Sequence, residues 1–96
     1  MKIEYSNRAV ADLRRLAADS LQFGEAVSIA VEERIRRIIS QISDYPEAAE
    51  RIEERPGVHV VPLVRYPYKI FYRVLNDRIR ILHIRHTSRM PWTQDR

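Results

Sequence analysis

The sequence predicts an α+β fold, in which an N-terminal strand and an antiparallel helical hairpin pack on a small antiparallel sheet. In the first half of the chain, apolar residues recur every three or four positions through two segments, a spacing typical of amphipathic helices. In the second half, short runs rich in Val, Ile and Tyr are bounded by turn residues, as strands are. A chain of 96 residues has the size of one domain, so residues 1–96 are expected to form a single domain.

The chain is expected to open with a strand and a helix. Apolar and polar residues alternate over residues 2–5, which favours a short edge strand. Ser6 or Asn7 then offers an N-cap, because the side-chain oxygen of either residue accepts hydrogen bonds from the first N–H groups of a helix. The helix itself is predicted over about residues 8–19.

A second helix is predicted over about residues 25–43, after Gly24 interrupts the apolar pattern. The dipeptide Tyr45-Pro46 ends it, since proline disfavours helical backbone in the residue before it. The short join between the two helices predicts an antiparallel hairpin. The second helix carries a single apolar stripe, formed by Val27, Val31, Ile35, Ile38 and Ile42.

Three strands are predicted after a charged linker, for which at most a helical turn is expected. The first strand, over residues 58–64, contains Pro62 and is expected to lie at an edge or to be kinked. The second and third, over residues 68–75 and 78–86, form a hairpin. Asn76-Asp77 is a plausible two-residue turn between them, because Asn and Asp tolerate positive φ.

This turn fixes the predicted register, with Arg73 opposite Arg80 and Tyr72 opposite Ile81. One face of the hairpin is expected to pack on the helices and holds Ile70, Tyr72, Val74, Ile79 and Ile81. His83 falls on the same face, where a structural role in the core is favoured over a catalytic one. The other face is expected to be exposed and holds Lys69, Phe71, Arg73, Arg80, Leu82 and Ile84.

The exposed face is predicted to bind a partner. Basic and apolar side chains mixed on one surface are more typical of a binding site than of a solvated wall. Two arginines directly opposite each other also repel unless an anion lies between them. Residues 65–96 hold eight Lys or Arg against two acidic residues, whereas residues 1–64 hold nine against eleven, so an acidic partner is expected. The alternative is that Arg73 and Arg80 simply extend into water.

A second candidate site lies at and beyond the end of the last strand and comprises Arg85, His86, Arg89 and Trp92. Arginine suits phosphate or carboxylate groups, and histidine exchanges protons near neutral pH. Trp92 follows Pro91 in a polar tail, so it is either a lid on the core or an anchor for a partner. Spacing alone does not establish a catalytic set among these residues.

Composition excludes several kinds of site. The chain has no cysteine, so it holds no disulfide and no thiolate metal site. Its three histidines lack a flanking carboxylate cluster, and two glycines cannot form a Gly-rich phosphate loop, so neither a metal nor a cofactor is expected. The absence of an eighteen-residue apolar run and of a signal-peptide core predicts a cytoplasmic protein that does not bind membranes.

Three stretches of the sequence together resemble the ParE/RelE superfamily of toxins from bacterial type II toxin–antitoxin systems. They are IEYSNRAVADL at the start, ISDYPEAA at the end of the second helix, and YPYKIFYRVLNDRIRILHIRHTSRMPW. The last is similar to the superfamily's pattern of PYRIxYRV, a turn and IxILxVxHxxR. The resemblance covers nearly the whole chain and implies the same order of strand, helical hairpin and sheet.

Within this superfamily the sequence looks more like the ParE side, whose members inhibit DNA gyrase, than like the RelE side, whose members cut mRNA on the ribosome. The RelE-like alternative would place catalytic groups at Lys69, Arg73, His86 and Arg89. However, the strand that presents lysines in those enzymes here contains Val60-Val61-Pro62, and no tyrosine follows Tyr72. An enzyme is therefore not the favoured interpretation. A degenerate, non-toxic module that only binds an antitoxin is a third.

The resemblance also implies a cognate antitoxin with a DNA-binding domain and an acidic C-terminal segment, so that DNA is reached only through the antitoxin. That segment is expected to fold on the sheet and helices of the toxin and to bind the surface formed by Lys69, Phe71, Arg73, Arg80, Leu82 and Ile84. The gyrase target is expected to meet Arg85, His86, Arg89 and Trp92.

Overall fold

A computed structural model describes residues 1–87, where two helices lie on one face of a five-stranded sheet. In chain order the elements are β1 (Lys2–Tyr5), α1 (Asn7–Leu21), α2 (Glu25–Asp44), β2 (Glu50–Arg51), β3 (Val58–Pro62), β4 (Tyr68–Val74) and β5 (Arg78–His86). The strands lie side by side in the order β1-β5-β4-β3-β2. The predicted α+β class is confirmed, with two differences. β1 runs parallel to β5, and the charged linker contributes the short strand β2.

The two helices form as their caps and apolar stripes predict. Ser6 is the N-cap of α1, and its Oγ accepts a hydrogen bond from the N–H of Ala9 at 3.0 Å. Both helices extend slightly beyond their predicted ends. In α2 the buried residues are Val31, Ile35, Ile38, Ile39 and Ile42. Within residues 1–87, neither helix has the length and apolar character to cross a membrane.

The hydrophobic core lies between this helical hairpin and one face of the sheet. Its sheet side includes Ile70, Tyr72, Ile79 and Ile81, each fully buried. Burying a side chain of this size stabilises a fold by about 1.5–3 kcal/mol relative to leaving it exposed. The predicted helix-facing positions of the hairpin are therefore confirmed for these four residues.

The β4–β5 hairpin has the predicted turn but not the predicted register throughout. The N–H of Leu75 donates to the carbonyl of Arg78 at 2.8 Å, which closes the two-residue turn. The pairs from Val74 with Ile79 to Tyr72 with Ile81 follow as expected. The register then shifts by one residue, so that Phe71 pairs with His83 and Ile70 with Ile84. The extra residue is Leu82, which makes this a β-bulge.

The bulge exchanges the faces of every later residue of β5, because side chains alternate with a period of two. Ile84 therefore lies in the core, 6% exposed, and its predicted place on the exposed basic face is wrong. His83 lies on the opposite face, where its ring stacks on Phe71 at a centroid distance of 4.5 Å. Its predicted place on the helix-facing side is therefore also wrong.

Residues of α1 and its N-cap bind backbone groups of β5 that lie beyond the end of β1. β1 pairs with β5 only as far as Ile81, where the N–H of Ser6 donates to the Ile81 carbonyl at 3.0 Å. The Ser6 hydroxyl donates to the carbonyl of Leu82 at 2.7 Å, and the Asp12 carboxylate accepts from the N–H of Ile84 at 3.0 Å. Ser6 and Asp12 thus take the place of a strand along this edge of β5.

A second set of contacts fixes the linker after α2 to the sheet. The hydroxyl of Tyr72 donates to the carbonyl of Pro46 at 2.7 Å. The ring of His59 stacks on that of Tyr72 at 5.0 Å, and its Nδ1 donates to the carbonyl of Ala49 at 3.0 Å. Burial, reinforced by the negative charge of Glu47, raises the pKa of Tyr72 to about 12.

Replacing Ser6 with Ala should destabilise the protein by about 1–2 kcal/mol, because it removes the helix cap and leaves the Leu82 carbonyl without its hydroxyl donor. Urea denaturation measures this change. Ser6→Thr keeps a hydroxyl and should lose less. Ser40→Ala, at an exposed position of α2, is the matched control and should leave the midpoint nearly unchanged. A Ser6→Ala midpoint equal to that of wild type would contradict this role.

Stability should fall as the pH rises from 10 to 12. The folded state holds the pKa of Tyr72 above its ordinary value of 10, so this contribution is complete below pH 10 and disappears as the pH approaches 12. The loss from this group is at most about 2.7 kcal/mol. Denaturation at a series of pH values measures it. In Tyr72→Phe the fall over this window should be smaller, whereas Tyr45→Phe, at an exposed position, should behave as wild type. Equal falls in all three proteins would refute the assignment.

Candidate functional site

The sheet face turned away from the helices, called the outer face below, is rich in cations. Side chains alternate between the two faces along β1, β4 and β5, so with the bulge included every second residue on each side of it lies on the outer face. Six residues of these strands on the outer face are basic: Lys2, Lys69, Arg73, Arg78, Arg80 and Arg85. Such a face favours a partner that carries carboxylates or phosphates.

Arg73 and Arg80 lie directly opposite each other, as predicted, and each has its own partner within the chain. Arg80 lies 3.5 Å from the carboxylate of Glu4, which is its neighbour across β1 and β5. Arg73 donates to the carbonyl of Pro56 at 3.2 Å. The anion that an arginine pair requires is therefore supplied by the protein itself.

Glu4 also binds Arg78, whose Nε donates to the same carboxylate oxygen at 3.1 Å. The hydrogen bond to Glu4, the charge of Glu4 and the contacts with Asp77 raise the pKa of Arg78. One carboxylate thus bridges two arginines, so the cations at this end of the outer face are partly neutralised. Sequence reasoning missed Glu4, because its partner strand is parallel and distant in sequence.

A second cation pair lies at the other end of the outer face, where Lys69 is opposite Arg85. The predicted register would have placed Lys69 opposite Ile84, so this pair follows directly from the bulge. Lys69 is exposed and Arg85 is partly buried. Two like charges in register make this end the more favourable place for an anionic group.

The centre of the outer face, between the two cation pairs, is apolar and buried. Phe71 is 4% exposed, and Val58 and His83 are also buried. Leu82 is half-buried. The predicted surface of exposed apolar residues beside the arginines is therefore corrected, since Phe71 is buried here and Ile84 belongs to the core. The basic residues of that surface, Lys69, Arg73 and Arg80, do lie on the outer face as predicted.

The C-terminal end of β5 borders a different feature, a cleft of about 360 Å³ between α1 and the sheet. Arg85 and His86 line it together with Arg8 and Arg15. Arg8 and Arg15 are seven residues apart, a helical spacing that puts them on one face and that sequence reasoning overlooked. Asp12 and Asp19 also line the cleft, and Asp12 lies 4.0 Å from Arg8. Arg89 and Trp92, the other two members of this predicted site, lie outside the described residues.

Of the candidate catalytic residues, the three that lie within residues 1–87 are not brought together. Lys69 and Arg73 lie on the outer face, whereas His86 pairs with Tyr68 and packs edge-on against its ring on the helix side of the sheet, at 5.1 Å. His83 is the histidine on the outer face, and it is stacked on Phe71. Over residues 1–87, no three His, Asp or Glu side chains are placed to hold a metal ion. The cations of the outer face can bind anions, whereas His86 lines the cleft with Asp12 and Asp19, on the other side of the sheet from Lys69 and Arg73.

Comparison with known proteins agrees with this fold. The family model for the ParE toxin of the type II toxin–antitoxin system, parDE, matches residues 3–91. Among solved structures, a protein of the chromosomal ParDE toxin–antitoxin system from P. aeruginosa has a TM-score of 0.78 and 25% identity, with 90% of this chain and 95% of that chain covered. No curated protein matches the sequence.

Two other solved structures share the fold at lower identity. The isolated E. coli RelE toxin has a TM-score of 0.68 at 15% identity, covering 98% of this chain and 92% of that chain. A chain of the intact E. coli RelBE toxin–antitoxin complex has a TM-score of 0.69 at 16% identity, covering 92% of this chain and 98% of that chain. Because the family model spans most of the sequence, the protein belongs to the ParE toxin family of type II toxin–antitoxin systems.

Proposed function

We propose that the protein is a toxin that inhibits DNA gyrase by binding to it and that a cognate antitoxin neutralises it. The observation that carries this proposal is the match to the ParE family model over residues 3–91. The 25% identity to the ParDE protein from P. aeruginosa adds to it. Toxins on the ParE side of the superfamily act on gyrase, and the proposal extends that activity to this chain.

Two surfaces would serve the two partners. The cations of the outer face, which include Lys69, Arg73 and Arg80, suit the acidic segment of an antitoxin. A RelE-fold toxin is known in complex with its antitoxin, which supports a partner of this kind. Because Phe71 and Ile84 are buried, this contact would depend on charge more than on apolar area.

The second surface lies at the end of β5, where Arg85 and His86 leave the sheet. With Arg89 and Trp92 of the following tail, these residues would contact the gyrase target. Binding residues are found disproportionately on segments that connect to a rigid scaffold, as the segment after β5 does. Arginine and tryptophan are also the residue types most often found to dominate protein interfaces.

The ribonuclease alternative receives less support from the geometry. General acid–base cleavage needs its proton donor and acceptor within reach of the same substrate. His86 and the pair Lys69 and Arg73 lie on opposite sides of the sheet. A binding mechanism needs no such convergence, so inhibition by binding is the better match to the arrangement.

Purified toxin should cause cleaved DNA to accumulate in a gyrase supercoiling reaction, and added antitoxin should reverse this. A variant with Arg85, His86, Arg89 and Trp92 all replaced by alanine should lose most of this effect while it remains folded. Arg14 and Arg37, exposed on α1 and α2, provide a matched control when replaced by alanine.

Unaffected gyrase would refute the proposal. Message cleaved only in the presence of translating ribosomes would then establish the ribonuclease alternative, and expression without growth arrest would indicate a module that only binds an antitoxin. Undiminished gyrase inhibition by the folded alanine variant would remove the C-terminal residues from the target surface.

Antitoxin binding should weaken at least ~10-fold when Lys69 and Arg80 are both replaced by glutamate, because a charge pair across an interface becomes a repulsion. Calorimetry at low and high salt measures the change, and the loss should be greatest at low salt. The double variant Arg14→Glu with Arg37→Glu makes the same charge change at exposed positions of the helices and should lose less affinity. Since Arg80 pairs with Glu4, a thermal melt must show that the first variant is folded. Equal affinities of folded variants would place this face outside the interface.

A further inference from the structure

The loop between β3 and β4 presents an exposed apolar residue in a strained conformation. Val64 has a φ of +67°, and within residues 1–87 it is the one residue other than glycine with positive φ. The N–H of Arg65 donates to the carbonyl of Leu63 at 2.8 Å, which makes Val64 the centre of a γ-turn. With positive φ at its centre, this is the rarer and strained form of that turn. A β-branched side chain makes the strain greater.

Solvation does not explain a valine at this position. Val64 is 77% exposed, so its side chain contributes little to the core. A glycine here would remove both the strain and the exposed apolar surface. Strained residues persist where surrounding structure enforces them, and they cluster at binding and catalytic sites. The combination of strain with apolar exposure therefore points to a use outside the folded chain itself.

Contacts on both sides hold this loop in place. Leu63 is fully buried, its N–H donates to the carbonyl of Tyr68 at 3.0 Å, and its carbonyl accepts from Nε of Arg34 at 3.2 Å. Tyr66 packs against the core, and the N–H of Tyr68 donates to its carbonyl at 2.8 Å. Val64 and Arg65 are thus the exposed tip of a segment with fixed ends. A preorganised tip loses little conformational entropy when it binds.

The loop also lies beside the end of β5. The N–H of Thr87, the first residue after β5, donates to the carbonyl of Pro67 at 2.7 Å. This bond joins the loop to the strand end that carries Arg85 and His86. Val64 and Arg65 therefore extend the proposed target surface at the same end of the sheet.

We propose that Val64 and Arg65 form a docking element for the protein target of the toxin. Val64 enters an apolar recess of that target, and Arg65 pairs with a carboxylate beside the recess. This inference rests on the proposed function, in which the target is gyrase, and it adds a contact that comes from a different segment of the chain. The target is preferred to the antitoxin as the occupant because the loop is bonded to the strand end that carries His86, on the proposed target surface.

The test compares Val64→Gly and Val64→Thr with a control, Phe23→Ala. Glycine removes the strain and the side chain together, whereas threonine keeps the shape and the strain and changes one methyl group to a hydroxyl. Phe23 is 75% exposed at the join between the helices and so matches Val64 in exposure. The readouts are the melting temperature, the toxin concentration for half-maximal gyrase inhibition, growth arrest on expression, and the Kd for the antitoxin.

Val64→Gly should melt at or above the temperature of wild type, because relief of strain offsets the greater freedom of an unfolded glycine. It should nevertheless need at least ~10-fold more toxin for half-maximal inhibition, with Val64→Thr between it and wild type. Phe23→Ala should inhibit as wild type does, and the Kd for the antitoxin should not change. Greater stability with lower potency is a result that a purely structural role for Val64 does not give.

Wild-type potency in both Val64 variants would overturn the inference, and so would a change confined to the Kd for the antitoxin. If wild-type toxin leaves gyrase unaffected but arrests growth, the proposed function fails. The inference is then tested by comparing the growth arrest caused by the Val64 variants with that caused by wild type. Weaker arrest by the Val64 variants then supports docking to a different target, and equal arrest overturns it. A wild-type chain that neither inhibits gyrase nor arrests growth overturns both.

Discussion

The β-bulge at Leu82, held by α1 and its N-cap, is the constraint on which the rest of the structure depends. Backbone groups of Leu82 and Ile84 lie beyond the end of β1, and the Ser6 hydroxyl and the Asp12 carboxylate bind them. Ser6 is also the N-cap of α1. One residue therefore links the start of α1, the docking of α1 to the sheet and the register of β5. The bulge then decides which side chains of β5 face the core and which face a partner.

The electrostatics of the outer face follow from this register. At the turn end of the hairpin, Glu4 compensates Arg78 and Arg80, so the arginine pair can exist without an external anion. At the other end, the shifted register puts Lys69 opposite Arg85. Anionic groups of a partner would therefore gain most near the end of β5, although the basic residues extend along the whole hairpin.

Much of this architecture could be predicted from local patterns, because helix caps, apolar stripes and a two-residue turn involve residues close in sequence. The faces on which Ile84 and His83 lie could not be predicted in this way. The bulge that decides them is held by Ser6 and Asp12, which are more than seventy residues away in the chain. If side chains are assumed to alternate without interruption past Leu82, Ile84 and His83 are both placed on the wrong face of the sheet. The strand β2 was missed for a related reason, because two charged residues pair with β3 only through tertiary proximity. Likewise, nothing in the sequence LVRYPY marks Val64 as strained.

The arrangement at the end of β5 relates the two proposed surfaces to each other. Arg85 faces the outer side of the sheet, whereas the next residue, His86, faces the helices and their cleft. The strand end thus belongs to both surfaces, and the β3–β4 loop is tied to it through Thr87 and Pro67. An acidic segment that pairs with Lys69 and Arg85 would lie against the end of β5, where the proposed target surface begins. Under the proposed function, the antitoxin would then neutralise the toxin without changing the toxin's fold. The bound antitoxin and the target would exclude each other, because their surfaces adjoin.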